Sequence, residues 1–71
     1  MNDWLERVAA AVGSAEQLSS EEQDALLEIA RIAAHESGDR RNAPILTYLG
    51  GRSRGDRSLA ELLEAVRASS S

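Results

Sequence analysis

Seventy-one residues with no cysteine, one Trp, one Tyr, no Phe and a formal charge of −4 describe one small domain. That length leaves no room for two cores, and the missing cysteines exclude disulfide staples and thiolate metal sites. Of thirty apolar residues twelve are Ala, and a core built from so few larger side chains yields only about 3–5 kcal/mol. A ligand cleft of ordinary size would consume much of it.

No apolar run is long enough to span a bilayer. Asp3, Glu6 and Arg7 fall within the first ten residues, a pattern foreign to a secretory leader. The expectation is a soluble, cytoplasmic chain. All eight basic residues are Arg, and they are unevenly placed. Residues 1–36 hold eight acids against Arg7 and Arg31, a net of −6; residues 37–71 hold four acids against six Arg, a net of +2. Such a bipolar chain suits a partner with a charge pattern of its own. The acidic total argues against nucleic acid, whose binders are usually basic throughout.

Four helical segments can be read in order, over about residues 4–12, 21–37, 44–50 and 59–68. Val, Ile, Thr and aromatics are too few for strands and never alternate. In the first, Asp3 is the expected N-cap with Glu6 as its capping-box partner, and Gly13 the residue just past the end. Leu5, Val8 and Val12 recur at helical spacing beside Trp4, which is expected to anchor the core. The second helix is expected to start from a Ser20/Gln23 capping box, with Glu21, Glu22 and Asp24 loading its first turn with the sign the macrodipole favours. Leu26, Ile29, Ala30 and Ala33 share one face, Ile32 and Ala25 widen it, and Asp24, Glu28, Arg31 and His35 fall opposite. So broad an apolar arc predicts a central helix touched from more than one direction.

Pro44 fits the first position of a short third helix. Ile45, Leu46, Tyr48 and Leu49 follow, and Gly50-Gly51 is expected to end it. The stretch from Gly50 to Arg57 reads as a solvated loop. Ser58 and Glu61 form a capping box for the fourth helix, whose Leu59, Leu62, Leu63 and Val66 sit at i, i+3, i+4 and i+7. They can close the core or dock on another protein. The class that results is all-α, a compact three- to four-helix bundle in a single domain over residues 1–71.

Catalytic chemistry finds little support. His35 is the single histidine, four residues after Arg31 on the polar face, with no orienting carboxylate and no second His for a metal. The serines lack a His–acid pair for nucleophilic activation. The Gly50–Gly55 stretch has no preceding strand and no Lys to make a phosphate cradle. The reading is therefore a non-enzyme without cofactor or metal. If the second and third helices form a hairpin, Arg31, His35, Arg40 and Arg41 come near the Asn42-Ala43-Pro44 turn, and the start of the third helix adds free N–H groups. This cationic patch is the candidate contact for a partner or an anion. In the competing reading the same residues cap helices and pair with Glu28, Glu36 and Asp39.

The strings Trp4-Leu5, Ala25-Leu26-Leu27-Glu28-Ile29-Ala30-Arg31 running to Ala34-His35, and Arg41-Asn42-Ala43-Pro44-Ile45-Leu46-Thr47-Tyr48-Leu49-Gly50 carry a resemblance. The chain resembles a small uncharacterised helical domain of high-GC Gram-positive bacteria. That domain occurs alone or fused behind the nucleotidyltransferase of molybdopterin-guanine dinucleotide synthesis. The match spans roughly residues 3–51, with Ile29, Ala33, Ile45 and Tyr48 standing where the family pattern has Leu, Val, Leu and Phe. The resemblance implies a setting of molybdenum-cofactor assembly and molybdenum-dependent formate dehydrogenase, and it carries over Trp4, Arg31, His35, Ala43 and Pro44 without a role for any. The expected function is a non-catalytic accessory protein, a small subunit or maturation partner of a molybdenum-cofactor enzyme. Two alternatives stand beside it: a helper holding an anionic nucleotide or pterin at the Arg cluster, and a nucleic-acid-associated regulatory bundle.

Overall fold

Two serines compete to open the longest helix, and Ser19 wins. The computed structural model describes residues 2–14 and 16–70. Its helices are α1 (Asp3–Ala11), α2 (Ser20–Ser37), α3 (Asn42–Ser53) and α4 (Leu59–Ser70), with no strand among the described residues. The Ser19 hydroxyl accepts from the Glu22 N–H at 3.1 Å, and the Glu22 carboxylate accepts from the Ser19 N–H at 2.9 Å. A Glu at this position binds the cap N–H with a charged acceptor, which Gln23 of the expected Ser20/Gln23 pair cannot offer. Gln23 instead donates to the Leu18 carbonyl.

The same one-residue shift occurs in α1. Asn2, not Asp3, is the N-cap and accepts from the Leu5 N–H at 2.9 Å; Asp3 and Glu6 then lie in the first turn, where the macrodipole favours acids. In α4 the Ser58/Glu61 box is present as expected, with both bonds at 3.1 Å.

Gly38 ends α2 in the left-handed region at φ 72°, which Gly enters without a Cβ clash. Ser37 donates its hydroxyl to the Ala33 carbonyl, and Asp39 accepts from the Arg41 N–H, so the chain reverses within four residues into α3. That helix is longer than expected at both ends. It begins at Asn42, which puts Pro44 at the third rather than the first position. The N–H that Pro lacks would have no partner anywhere in the first turn, so the shift is tolerated. At the other end α3 runs straight through Gly50-Gly51 to Ser53. Gly50 is buried, and a Cβ placed on it would stand 3.1 Å from Leu62 Cδ2. Its role is close approach to α4, not helix termination.

α2 packs against both α3 and α4, as its broad apolar arc predicts. Ile29, Leu59 and Leu62 form the buried centre, with Leu18, Ala25, Leu26, Leu46, Leu63 and Val66 packed around them. Ile29 is 1% exposed and Leu62 4%. The fourth helix thus closes the core.

α1 departs from the expectation. Among the described residues no substantial packing joins it to another helix. Trp4 is 59% exposed and Val12 75%, while Leu5 and Val8 are exposed beside them. Trp4 is therefore no core anchor: helical spacing gave the helix an apolar face but no partner within the chain. The Cα radius of gyration, 12.5 Å, exceeds the ~11 Å typical of a chain this long. The molecule is a three-helix body with a fourth helix standing off it.

Candidate protein-interaction surface

α3 carries two faces. The first, formed by Asn42, Ile45, Leu46, Leu49, Gly50 and Ser53, lines an apolar groove of about 620 Å³ whose floor is Ile32 and Ala33 of α2 and whose far wall is Leu62, Ala65 and Val66 of α4. At Gly50 and Leu62, both in its lining, α3 and α4 meet closely. Ile45 and Leu49 stay largely exposed along it.

The second face points elsewhere. Arg41, Pro44, Tyr48 and Arg52 recur at intervals of three or four and so share one stripe of α3. Tyr48 is 63% exposed, and Arg52 Nη1 reaches its hydroxyl at 3.5 Å. Arg40, exposed, precedes the stripe. Arg and Tyr are the side chains over-represented at interface hot spots, since each offers a large contact area with a polar end.

The residues expected to form one cationic patch are divided between two places. Arg31 makes a fork with Glu28, its Nη2 2.6 Å from one carboxylate oxygen and its Nε 3.0 Å from the same atom. It lies on the side of α2 that faces α4, in a small cleft with Glu36, Arg67 and Ser70. Arg41 makes a second fork with Asp39 at 2.8 and 3.1 Å, at the α2–α3 turn. The hydrogen bond from Arg31 holds the Glu28 carboxyl below its usual 4.5, and Arg41 does the same for Asp39 below 3.8. The pairing anticipated in the competing reading is thus formed for Glu28 and Asp39. Both pairs lie at the surface, where solvent screens an ion pair, so a partner's carboxylate can take over either guanidinium at little expense. Arg40, Arg41, Asn42 and Pro44 stay together at the start of α3, with Asn42 turned to the groove. His35 is exposed on α2.

Tyr48 and Arg52 escaped the sequence reading because α3 was ended at Gly50. A helix carried two residues further, to Arg52, sets that side chain four residues after Tyr48 on the same stripe as Arg41. The Gly/Arg stretch also differs from the expected solvated connector. Arg54 Nε donates to the Arg57 carbonyl at 2.8 Å, Arg57 Nε to the Arg54 carbonyl at 3.1 Å, and Arg57 Nη2 to the Ser53 carbonyl at 3.0 Å. Arg54 Nη1 also meets Glu16 at 3.4 Å. The two guanidiniums brace the turn, so their donors are already directed at the protein's own backbone.

No group of His, Asp and Glu placed to hold a metal ion occurs among the described residues. None of their helices is long and apolar enough to cross a membrane. No curated protein and no solved structure shows significant similarity to the chain. A family match nevertheless extends over residues 1–71, to the family described as Domain of unknown function (DUF6457). With its whole length covered by that match, this four-helix, all-α chain belongs to the DUF6457 family.

Proposed function

We propose that the chain is a non-catalytic interaction protein that docks on a larger protein through the outer stripe of α3. The observation that carries this reading is the stripe itself: Tyr48, two-thirds exposed, set between Arg41 and Arg52 on a chain whose net charge is −4. Cationic ends around an exposed aromatic ring suit an acidic, partly apolar surface. The finer part of the proposal places that partner in molybdenum-cofactor chemistry: an enzyme such as formate dehydrogenase, or the machinery that matures it. This part rests on the resemblance of residues 3–51 to the domain associated with molybdopterin-guanine dinucleotide synthesis. In this setting the chain acts in the cytoplasm as a small subunit or maturation partner.

The nucleotide- or pterin-holding alternative ranks lower. The cations it needs are divided: Arg31 lies in the cleft with Glu36, Arg67 and Ser70, facing α4, and Arg41 at the α2–α3 turn.

Affinity capture of the tagged chain from its native host, followed by mass spectrometry, tests the proposal. A molybdenum enzyme or a cofactor-synthesis protein should be recovered in stoichiometric amount. The double variant Tyr48→Ala, Arg52→Glu should lose it while its far-ultraviolet circular dichroism stays helical. Full recovery by that variant removes the stripe; a partner unrelated to molybdenum removes the finer assignment.

A further inference from the structure

We propose that the apolar groove between α3 and α4 is the seat for α1 of a second copy of this chain, so that two molecules exchange their first helices in a symmetric dimer. The inference uses the other side of α3 from the stripe above and does not rest on the partner reading.

Four observations carry it. The first is an unmatched pair of apolar surfaces on one chain. Trp4, Leu5, Val8 and Val12 form a continuous exposed stripe on α1, with Asp3, Glu6 and Arg7 opposite. The groove presents Ile45, Leu46, Leu49, Leu62 and Val66. An amphipathic helix laid into an apolar groove is a standard mode of recognition.

Dimension is the second. Nine residues of α1 span ~13 Å, and the groove wall from Asn42 to Ser53 runs ~18 Å along α3, at 1.5 Å per residue. The groove wall is longer than the helix it would receive.

Third comes area. The chain exposes 5278 Å², whereas a folded monomer of 7.6 kDa is expected to expose about 4,300 Å². The surplus, roughly 1,000 Å² per chain, compares with the ~800 Å² per partner of a standard stable interface.

The fourth is the connection. α1 ends in a Schellman turn at Gly13, φ 87°, where the Gly13 N–H reaches the Ala10 carbonyl at 3.1 Å and the Ser14 N–H the Ala9 carbonyl at 2.8 Å. The Ser14 hydroxyl accepts from the Glu16 N–H, Glu16 meets Arg54, and Leu18 enters the core. These bonds cap α1 and tie Glu16 to the turn before α4, while no substantial packing joins α1 to another helix among the described residues. A helix from a second molecule can enter without remaking them, and short connections of this kind favour exchange between identical chains.

Sedimentation equilibrium over a wide range of concentration, read together with the emission of Trp4, the single tryptophan, decides the matter. The expected result is a reversible dimer of twice 7.6 kDa, with Trp4 emission shifting to the blue as dimer forms. Val8→Glu on the stripe and Leu49→Glu on the groove wall should each give monomer with unchanged helical circular dichroism. Both positions are exposed in the single chain, so neither change disturbs its core. An equimolar mixture of the two variants should regain a dimer of weaker affinity, because one intact stripe then finds one intact groove. A monomer whose Trp4 emission is already blue-shifted would overturn the proposal in favour of α1 closing on its own groove. So would a monomer with fully exposed Trp4, or a dimer indifferent to both substitutions.

Discussion

α1 and α4 are made of similar material and meet different fates. Each has an apolar stripe at helical spacing, a capped start and acids in its first turn. α4 finds Ile29 of α2 and buries Leu59 and Leu62; α1 finds nothing comparable and keeps Trp4 in solvent. Amphipathicity therefore states that a helix needs a partner and leaves open where that partner is. In α4 the partner is supplied by the turn at Arg54–Arg57, which folds the helix back on α2. In α1 the Gly13 turn ends the helix, and no such packing follows among the described residues.

The contrast predicts opposite responses to truncation. Ile29→Ala empties the most buried site and should cost about 2–5 kcal/mol, much of the stability a body this small has. Urea unfolding followed by circular dichroism would then lose its folded baseline. Val8→Ala, measured in dilute solution where chains are separate, should stay within about 0.5 kcal/mol of the parent. Equal losses from both would show that α1 is part of the core.

A smaller effect separates the two left-handed glycines. Gly38 at φ 72° and Gly13 at φ 87° impose the same kind of strain on a Cβ. Gly38→Ala should destabilise the body by about 1–2 kcal/mol, since its helix end is built into the α2–α3 hairpin. Gly13→Ala should fray α1 and leave the urea midpoint of the body in place. A shared shift of the midpoint would mean the two ends are coupled.

Gly51 sharpens the reading of α3. A Cβ there meets no atom within 4 Å, so Gly51→Ala should raise stability by about 0.5–1 kcal/mol through helix propensity. Gly50→Ala gains the same propensity but presses on Leu62, and its thermal midpoint should fall below that of Gly51→Ala.

The smallest expected difference is in pH response. The carboxyl of Glu61 is held below its usual 4.5 by its bonds with the Ser58 backbone and hydroxyl. A depressed carboxyl contributes stability above its unfolded value and loses it as pH falls through the folded one. The body should therefore weaken on acidification below about pH 4.5, and Glu61→Gln should remove this contribution at neutral pH and converge with the parent in acid. α1 is capped by the amide of Asn2, which does not titrate there. Thermal melts of both proteins from pH 7 to 3 check the sign.

Much of the fold was legible from short-range chemistry. The capping box at Ser58, the terminator at Gly38, the central place of α2 and the all-α class follow from residue types and spacing alone. One-residue slips at Asn2 and Ser19 arose because neighbouring residues are near-equal caps, and only the reach of Glu22 separates them. What stayed hidden depends on distance in space. Gly50-Gly51 looks like a helix end until Leu62 is seen against it, and Arg31 and Arg41 look like one patch until Glu28 and Asp39 are seen to hold them apart.

The braced turn at Arg54–Arg57 has a mechanical consequence. It works as a strut of fixed length: two planar guanidiniums, each tied to the other's carbonyl, set the distance between the end of α3 and the start of α4. Arg57 also lines the groove, so the strut stands beside the surface that α3 and α4 form together. Lysine, with a single flexible ammonium in place of a planar fork, cannot set that length.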